Sequence, residues 1–438
     1  MKIQKHIERF NQPDTHLVLS GWPETHGSKT YHGDGVFTRE TLKILVKNHG
    51  MRFVVLSDLN CHNQPKLLEN DSILLLRVFD HSRLHLYPTV LTWLKKFFKI
   101  RSITVHSNFA YSGIRHFMLL VPFLLLIKIT GRKITYVAHN VIDSINFIAE
   151  QLNITHPYAI KLLNLSVKIY NKLVGILIDH IVVLDASGYE LMQRYVPQKK
   201  LYLSPHWAKP KTTTWTKSTA KKSLGIQPDQ KVILSFGFIS WYKGSDALAQ
   251  LFNKSKYNNV HLIFAGGQAP SQMDKTHYRE FYASFQKSVS SDHRITHTGF
   301  VPENEIGKYF AAADLVVLPY RGLMGGSGAL GFALGYRKPF IVSKNMNGIW
   351  KNTDMRKSLS QTGLTINNLS FALNLKGINQ VVRTVNNKTQ LKKLQRFSTL
   401  MLNSRDIETV TDQLYNDMYA PVAQYEATST AQSQAVVG

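Results

Sequence analysis

The sequence predicts an α/β protein built as two doubly wound domains, and three observations lead there. Short apolar runs such as FVVL at 53–56 and VHLIFA at 260–265 alternate with longer stretches of helical periodicity. A length of 438 residues exceeds what one ordinary core holds. A polar, threonine-rich segment without periodicity, AKPKTTTWTKSTA at 208–220, separates two such alternations.

In chain order, residues 16–20 (HLVLS) read as the first strand. A polar loop follows with Gly33 and Gly35, then a helix over 37–47 and a strand at 53–56. Those glycines either let backbone approach a phosphate or turn the chain into the helix. Residues 72–76 read as a strand. Residues 86–101 (LYPTVLTWLKKFFKIR) place Leu86, Val90, Leu91, Leu94, Phe97 and Phe98 near one helical face among four basic residues. Such a helix packs on a sheet or lies in a membrane interface. Strands at 103–106 and 134–139 flank a buried helix over 118–129. Helices fill 158–176, a strand takes 180–184 and a helix 188–195. The second alternation has strands at 231–236, 260–265, 296–301, 315–318 and 340–343, with helices over 303–312 and 329–336. Helices at 391–401 and 403–415 follow, and residues 423–438 read as a disordered tail.

The formal net charge is +25, and both halves carry it: residues 1–207 hold 25 Lys and Arg against 14 Asp and Glu, the remainder 28 against 14. Anionic membrane surface, nucleic acid or phosphate-bearing substrates all fit such a balance. No nucleic-acid-binding signature accompanies the charge, so no nucleic acid partner is expected. The one cysteine, Cys61, excludes an internal disulfide and fits a reducing compartment. Residues 1–14 are polar and do not read as a signal peptide. The longest apolar stretch, 117–129, contains Pro122 and Lys128 and is too short to span a bilayer, which takes about 20 residues. No metal-ligand cluster, Ser-His-Asp signature or internal repeat is visible.

Residues 315–343 (LVVLPYRGLMGGSGALGFALGYRKPFIVS) organise the chain. A strand ends in Pro319; Gly322, Gly325, Gly326 and Gly328 surround Ser327; a small-residue helix leads to a second strand. This order aims backbone N–H groups at a phosphate, or is a glycine-rich turn in a βαβ unit. The stretch resembles the donor-binding segment of family-4-like retaining glycosyltransferases of the GT-B fold (glycosyl transferases group 1). Three further stretches share the likeness: GFISWYKGSD at 237–246, GFVPENE at 299–305 running on to the strand ending in Pro319, and the strand ending in His139-Asn140. Two departures stand out. Aligned on Pro339, the family's paired glutamates fall at Met324 and Phe332, and Ser240 stands where an arginine is common.

The resemblance implies two facing Rossmann-like domains, with the C-terminal helix crossing back to the first. It implies an acceptor-side domain at 1–207, a nucleotide-sugar-binding domain at 208–404 and a returning helix at 405–422, ahead of the tail at 423–438. It implies sugar transfer from a UDP- or GDP-sugar to a glycan or lipid-linked acceptor with retention of configuration, as in cell-surface polysaccharide or glycolipid synthesis. His139 would contact the sugar and Lys243 would neutralise the diphosphate. Gly33, Gly35, Gly237, Gly266, Val301, Gly325, Gly326, Ser327 and Gly328 would line the donor, and neither metal nor cofactor is required. The implied location is cytoplasmic, with peripheral attachment to the inner face of the membrane as an option. Two rivals stay open: a catalytically weak binding subunit of a polysaccharide-assembly complex, which the missing carboxylates favour, and a sugar epimerase on the same fold.

Overall fold

The computed structural model describes residues 2–23, 33–59, 63–80, 86–107, 109–270, 272–323 and 325–419. Cys61, Met324 and the segment 423–438 lie outside them. The chain folds into two compact units. The first comprises Met1–Asp143, Ser166–Pro205 and Ile407–Gly438, and the second Ser144–Leu165 and His206–Asp406. Residues 144–165, read from sequence within the first domain, thus pack with the second.

The first unit is built on an eight-stranded sheet of order β3-β4-β2-β1-β5-β6-β7-β8. Its strands are β1 (Thr15–Leu19), β2 (Arg52–Asp58), β3 (Lys66–Leu68), β4 (Ile73–Phe79), β5 (Ser102–Ser107), β6 (Lys133–Ala138), β7 (His180–Val183) and β8 (Leu201–Leu203). All pairings are parallel except the hairpin of β3 with β4. The helices in order are α1 (Lys2–Phe10), α2 (Gly33–His49), α3 (Leu86–Lys96), α4 (Phe109–Ile129), α5 (Pro157–Leu177), whose residues from Ser166 on belong to this unit, and α6 (Ala186–Met192). Strand order reverses between β1 and β5, where open α/β sheets bind ligands.

Leu86, Val90 and Leu94 of α3, Phe123, Leu124 and Ile127 of α4, and Tyr170 and Val174 of α5 share one core. The lysine-flanked face expected of 86–101 is therefore spent on the sheet, and the helix stops at Lys96; of its large apolar side chains only Phe98 beyond the end stands exposed. Gly33 and Gly35, read as loop, open α2 itself. A Cβ at Gly35 would lie 2.8 Å from Pro23 Cδ and 3.0 Å from Gly21 O, so the glycine lets the helix start against the end of β1. The C-terminal helix Ile407–Met418 belongs to this unit. Glu408 accepts from Lys47 Nζ at 2.8 Å, and His49 stacks on Tyr415 at 3.6 Å while reaching Asp412 at 2.8 Å.

The second unit has six parallel strands: β9 (Lys231–Phe236), β10 (Val260–Ala265), β11 (Ile295–His297), β12 (Leu315–Leu318), β13 (Phe340–Ser343) and β14 (Ser370–Phe371). Their order is β11-β10-β9-β12-β13-β14, the doubly wound pattern with its switch point between β9 and β12. These strands are buried on both faces and so read as continuous apolar runs. Helices α7 (Lys217–Ser223), α8 (Ser245–Asn253), α9 (Thr276–Ser290), α10 (Ile306–Ala312) and α11 (Gly328–Gly335) matter for the site. The expected linker is partly structured: Thr216 caps α7 through a capping box, and Ala208 N donates to Arg405 O at 2.7 Å. β11 is shorter than read because Gly299, at φ +69°, turns the chain out of the sheet.

Backbone contacts at Gly244 and Gly266 in this unit leave no room for a side chain. Gly244 has φ +69°, and a Cβ there would lie 2.0 Å from Pro319 O; one at Gly266 would lie 2.1 Å from Gly237 O. Gly244→Ala combines a backbone clash with left-handed strain, so a loss of about 2 kcal/mol or more is expected. Thermal denaturation should show a midpoint lowered by about 4–8 °C. An unchanged midpoint would mean the β9 and β12 loops are not held this closely.

Candidate functional site

In the second unit the expected residues gather at the carboxyl ends of β9, β10 and β12, around the switch point. The chain leaves β9 at Gly237, whose φ of +110° needs glycine, and returns through a 3-10 turn, Trp241–Lys243. Lys243 folds back over that glycine: a Cβ on Gly237 would sit 2.9 Å from Lys243 Nζ. Gly266, ending β10, lies directly beside Gly237 and bridges to Gly299, and His297 Nε2 reaches Gly266 O at 2.9 Å. Gly267 packs against the backbone of Phe300, next to the buried Val301.

Beyond β12, Tyr320 lies 6.0 Å from Lys243 Nζ, and its hydroxyl is 3.2 Å from Ser327 Oγ. Ser327 is the N-cap of α11 and accepts from Leu330 N at 3.3 Å. Gly328 opens the helix, so its N–H and that of Ala329 precede the intrahelical ladder and are available to an acceptor. Gly325 has φ +116°, and a Cβ on Gly326 would meet His206 Cδ2 at 2.6 Å. Tyr320 therefore connects Lys243 to the Ser327 cap at the start of α11.

The turn carrying Lys243 is clamped to the β12 loop. Arg321 makes a two-pronged ion pair with Asp246, both contacts at 2.8 Å, and its guanidinium lies over the Trp241 ring at 4.5 Å. Arg321 N donates to Tyr242 O at 2.8 Å, while Gln151 Oε1 accepts from Tyr242 N at 3.1 Å. Burial drives the Lys243 ammonium down to about 8, with no carboxylate offsetting it. Burial also pushes the Tyr320 phenol up to about 12, so it stays a neutral donor.

Phe332 packs against Phe236 at 4.9 Å and Phe310 at 6.0 Å, with Lys211 Nζ 4.4 Å over its ring. An aromatic side chain thus packs inward at the position where the resemblance places a carboxylate. Phe332→Glu loses that packing, and a cost of about 2 kcal/mol is expected with no gain in nucleotide affinity. Tighter nucleotide binding by that variant would show that the position faces the ligand.

In the first unit, His139 follows β6 and is buried. His139 Nε2 lies 3.0 Å from His106 Nδ1, which lies 3.1 Å from Thr38 Oγ1, itself 2.7 Å from Ser20 Oγ. Phe37 stacks edge-on against His139 at 5.3 Å. Burial lowers both histidines below their ordinary value, His106 further because His139 adjoins it; the Asp34 charge opposes the shift at His139. His106 and His139 therefore converge on Phe37 and Thr38 of α2, while Gly35 packs against Gly21 and Pro23 and Gly33 has nothing described within 4 Å of a Cβ. Among the described residues no group of three or more His, Cys, Asp or Glu is arranged to hold a metal. None of their helices is long and apolar enough to cross a membrane.

Sequence reasoning missed Tyr320, the Arg321–Asp246 pair, His106, and His206 against Gly326. Only Tyr320 carried a local signal, following the strand-ending Pro319.

Residues 216–351 match the family model of the glycosyl transferases group 1, which covers the switch point and the whole glycine loop. That stretch is similar to the glycosyl transferases group 1. An uncharacterized glycosyltransferase of Methanocaldococcus jannaschii is 28% identical over 148 residues, which are 31% of this chain and 36% of that relative's length. The fold is GT-B, as its solved neighbours have it. Sucrose-phosphate synthase from Thermosynechococcus elongatus matches with a TM-score of 0.68 at 15% identity, covering 93% of this chain and all of that one (100%). The Anabaena protein HepE in complex with UDP-glucose matches at 0.65 and 14% identity, covering 92% of this chain and 98% of that one. The group 1 segment holds Lys243, Gly237, Gly266, Val301 and the loop from Gly325 to Gly328; His139, Gly33 and Gly35 lie outside it.

Proposed function

We propose that the chain moves a sugar from a nucleotide diphosphosugar, a UDP- or GDP-sugar, to a glycan or lipid-linked acceptor with retention of configuration, in cell-surface polysaccharide or glycolipid synthesis. The observation that carries this is the meeting of Lys243 with the N-terminus of α11 at a topological switch point. There Tyr320 links the half-buried Lys243 to the Ser327 cap beside the available N–H groups, and no ion pair of Lys243 with a carboxylate occurs among the described residues. The bond between the sugar C1 and the diphosphate oxygen breaks, the acceptor oxygen bonds C1 on the face the diphosphate leaves, and the acceptor's proton passes to the diphosphate oxygen. Charge grows on the diphosphate as its bond breaks. Lys243, the N–H groups of Gly328 and Ala329 and the α11 dipole stabilise that charge. Gly237, Gly266, Gly325 and Gly326 let backbone approach the donor, Val301 lies by the base, and His139 contacts the sugar. The scheme uses no metal or cofactor. The solved neighbour bound to UDP-glucose supports a uridine donor. A cytoplasmic location with peripheral attachment to an anionic membrane belongs to the same proposal.

The packing of Phe332 in place of a carboxylate favours a second function, a catalytically weak binding subunit on the same scaffold. Incubation with a panel of nucleotide sugars separates the two. Transfer to acceptor, or slow hydrolysis of one donor, supports the enzyme. Saturable binding with no turnover supports the subunit. Formation of an epimer, or no binding at all, overturns both.

A further inference from the structure

Helix α5 carries an exposed apolar stripe. Tyr158, Leu162, Leu165, Ile169, Leu173 and Ile176 are between 39% and 77% exposed. At 100° per residue these six fall within about 80° of arc, opposite the buried Val167, Tyr170 and Val174. Scattered exposed leucines need no explanation, but a continuous stripe about 27 Å long does. Lys161, Lys168 and Lys172 line one flank of the stripe, and α5 contains no acidic residue.

Helix α4 extends the surface. The crossovers β5-α4-β6 and β6-α5-β7 step the same way along the sheet, so right-handed connections put both helices on one face. Leu125, Leu126 and Ile129 of α4 are 47–74% exposed. Lys128, beside Ile129, bonds Asp179 at 2.5 Å, just past the end of α5.

We infer that the α4–α5 face, rather than α3, is the surface by which the protein lies on an anionic lipid bilayer. The apolar stripe enters the headgroup boundary, and the lysines on its flank stay at the level of the lipid phosphates. Charge decides the occupant. A second copy of the chain would set one lysine row against another in a molecule of net charge +25, whereas an anionic leaflet complements both the row and the whole. This inference rests on the peripheral-attachment part of the proposal above and not on sugar transfer.

The test is co-sedimentation of the full chain with phosphatidylglycerol and phosphatidylcholine vesicles, without any nucleotide sugar. The parent is expected to partition onto phosphatidylglycerol only, and less at high salt. Lys161→Gln/Lys168→Gln/Lys172→Gln should lower that partition about 100-fold. Leu162→Gln/Ile169→Gln/Ile176→Gln should abolish it, with both variants melting like the parent because the altered side chains face solvent. Equal partition onto both lipids, no partition of the parent, or variants that sediment like the parent would overturn the inference. So would an apolar variant that merely turns a dimer into a monomer, which would assign the face to a second copy. Failure in any of these ways leaves donor binding, measured separately, unaffected.

Discussion

Lys243→Ala is expected to weaken binding of a nucleoside diphosphate by about tenfold to a hundredfold, the worth of a charge-assisted contact of about 1.5–3 kcal/mol. The fold should hold. Burial depresses the Lys243 ammonium to about 8, so the side chain is still mostly charged at neutral pH but loses its proton within the working range. The sign of the pH dependence follows. Below about 8 the side chain is charged and binds the diphosphate; above it, binding must first recharge the amine. Affinity should therefore fall as pH rises through 8, by at most about tenfold per unit, and Lys243→Ala should flatten that slope. Calorimetric titration at several pH values checks both statements. Unchanged affinity, or a parent with no decline above pH 8, would remove Lys243 from the site.

Gly328→Val is expected to have the larger effect, a loss of diphosphate binding of about a hundredfold or more. Outside its chain neighbours and its own helix, no heavy atom of the described residues lies within 4 Å of a Cβ built on Gly328, so the described fold has room for the side chain. The space it fills is the one an anion needs in order to reach the first N–H groups of α11. A branched side chain there blocks approach without disturbing the Ser327 cap or the packing of Ala329 and Leu330 beneath. Gly326 is a poorer test, because a side chain there would collide with His206 and confuse sterics at the ligand with sterics in the fold.

The strands that build both sheets were legible because buried parallel strands are nearly unbroken apolar runs, as at Leu315–Leu318 and Val260–Ala265. The short edge strands β3, β8 and β14, of three, three and two residues, are too brief for any periodicity to register. The start of α2 was hidden because Gly33 and Gly35 read as a loop, and only the contact with Gly21 explains a glycine inside the first helical turn. Gly237, Lys243, Gly266 and Ser327 could be picked out because each sits at a strand end or helix start within a local pattern. His106 and the Arg321–Asp246 clamp could not, since their partners lie 33 and 75 residues away and meet only in the fold. The exposed stripe of α5 was equally hidden: its sequence is apolar around much of the helix, and nothing local says which side the sheet takes.

Calorimetric titration of UDP and GDP into the parent and into Gly328→Val is the most direct measurement of whether the α11 N-terminus holds a diphosphate, with a melting curve on each protein. The expected result is a parent that binds at least one of the two nucleotides, and a variant that melts like the parent but takes up neither. A variant that folds and binds nucleotide as the parent does would contradict a diphosphate at the α11 N-terminus. It would leave the glycine loop as a turn in an ordinary βαβ unit.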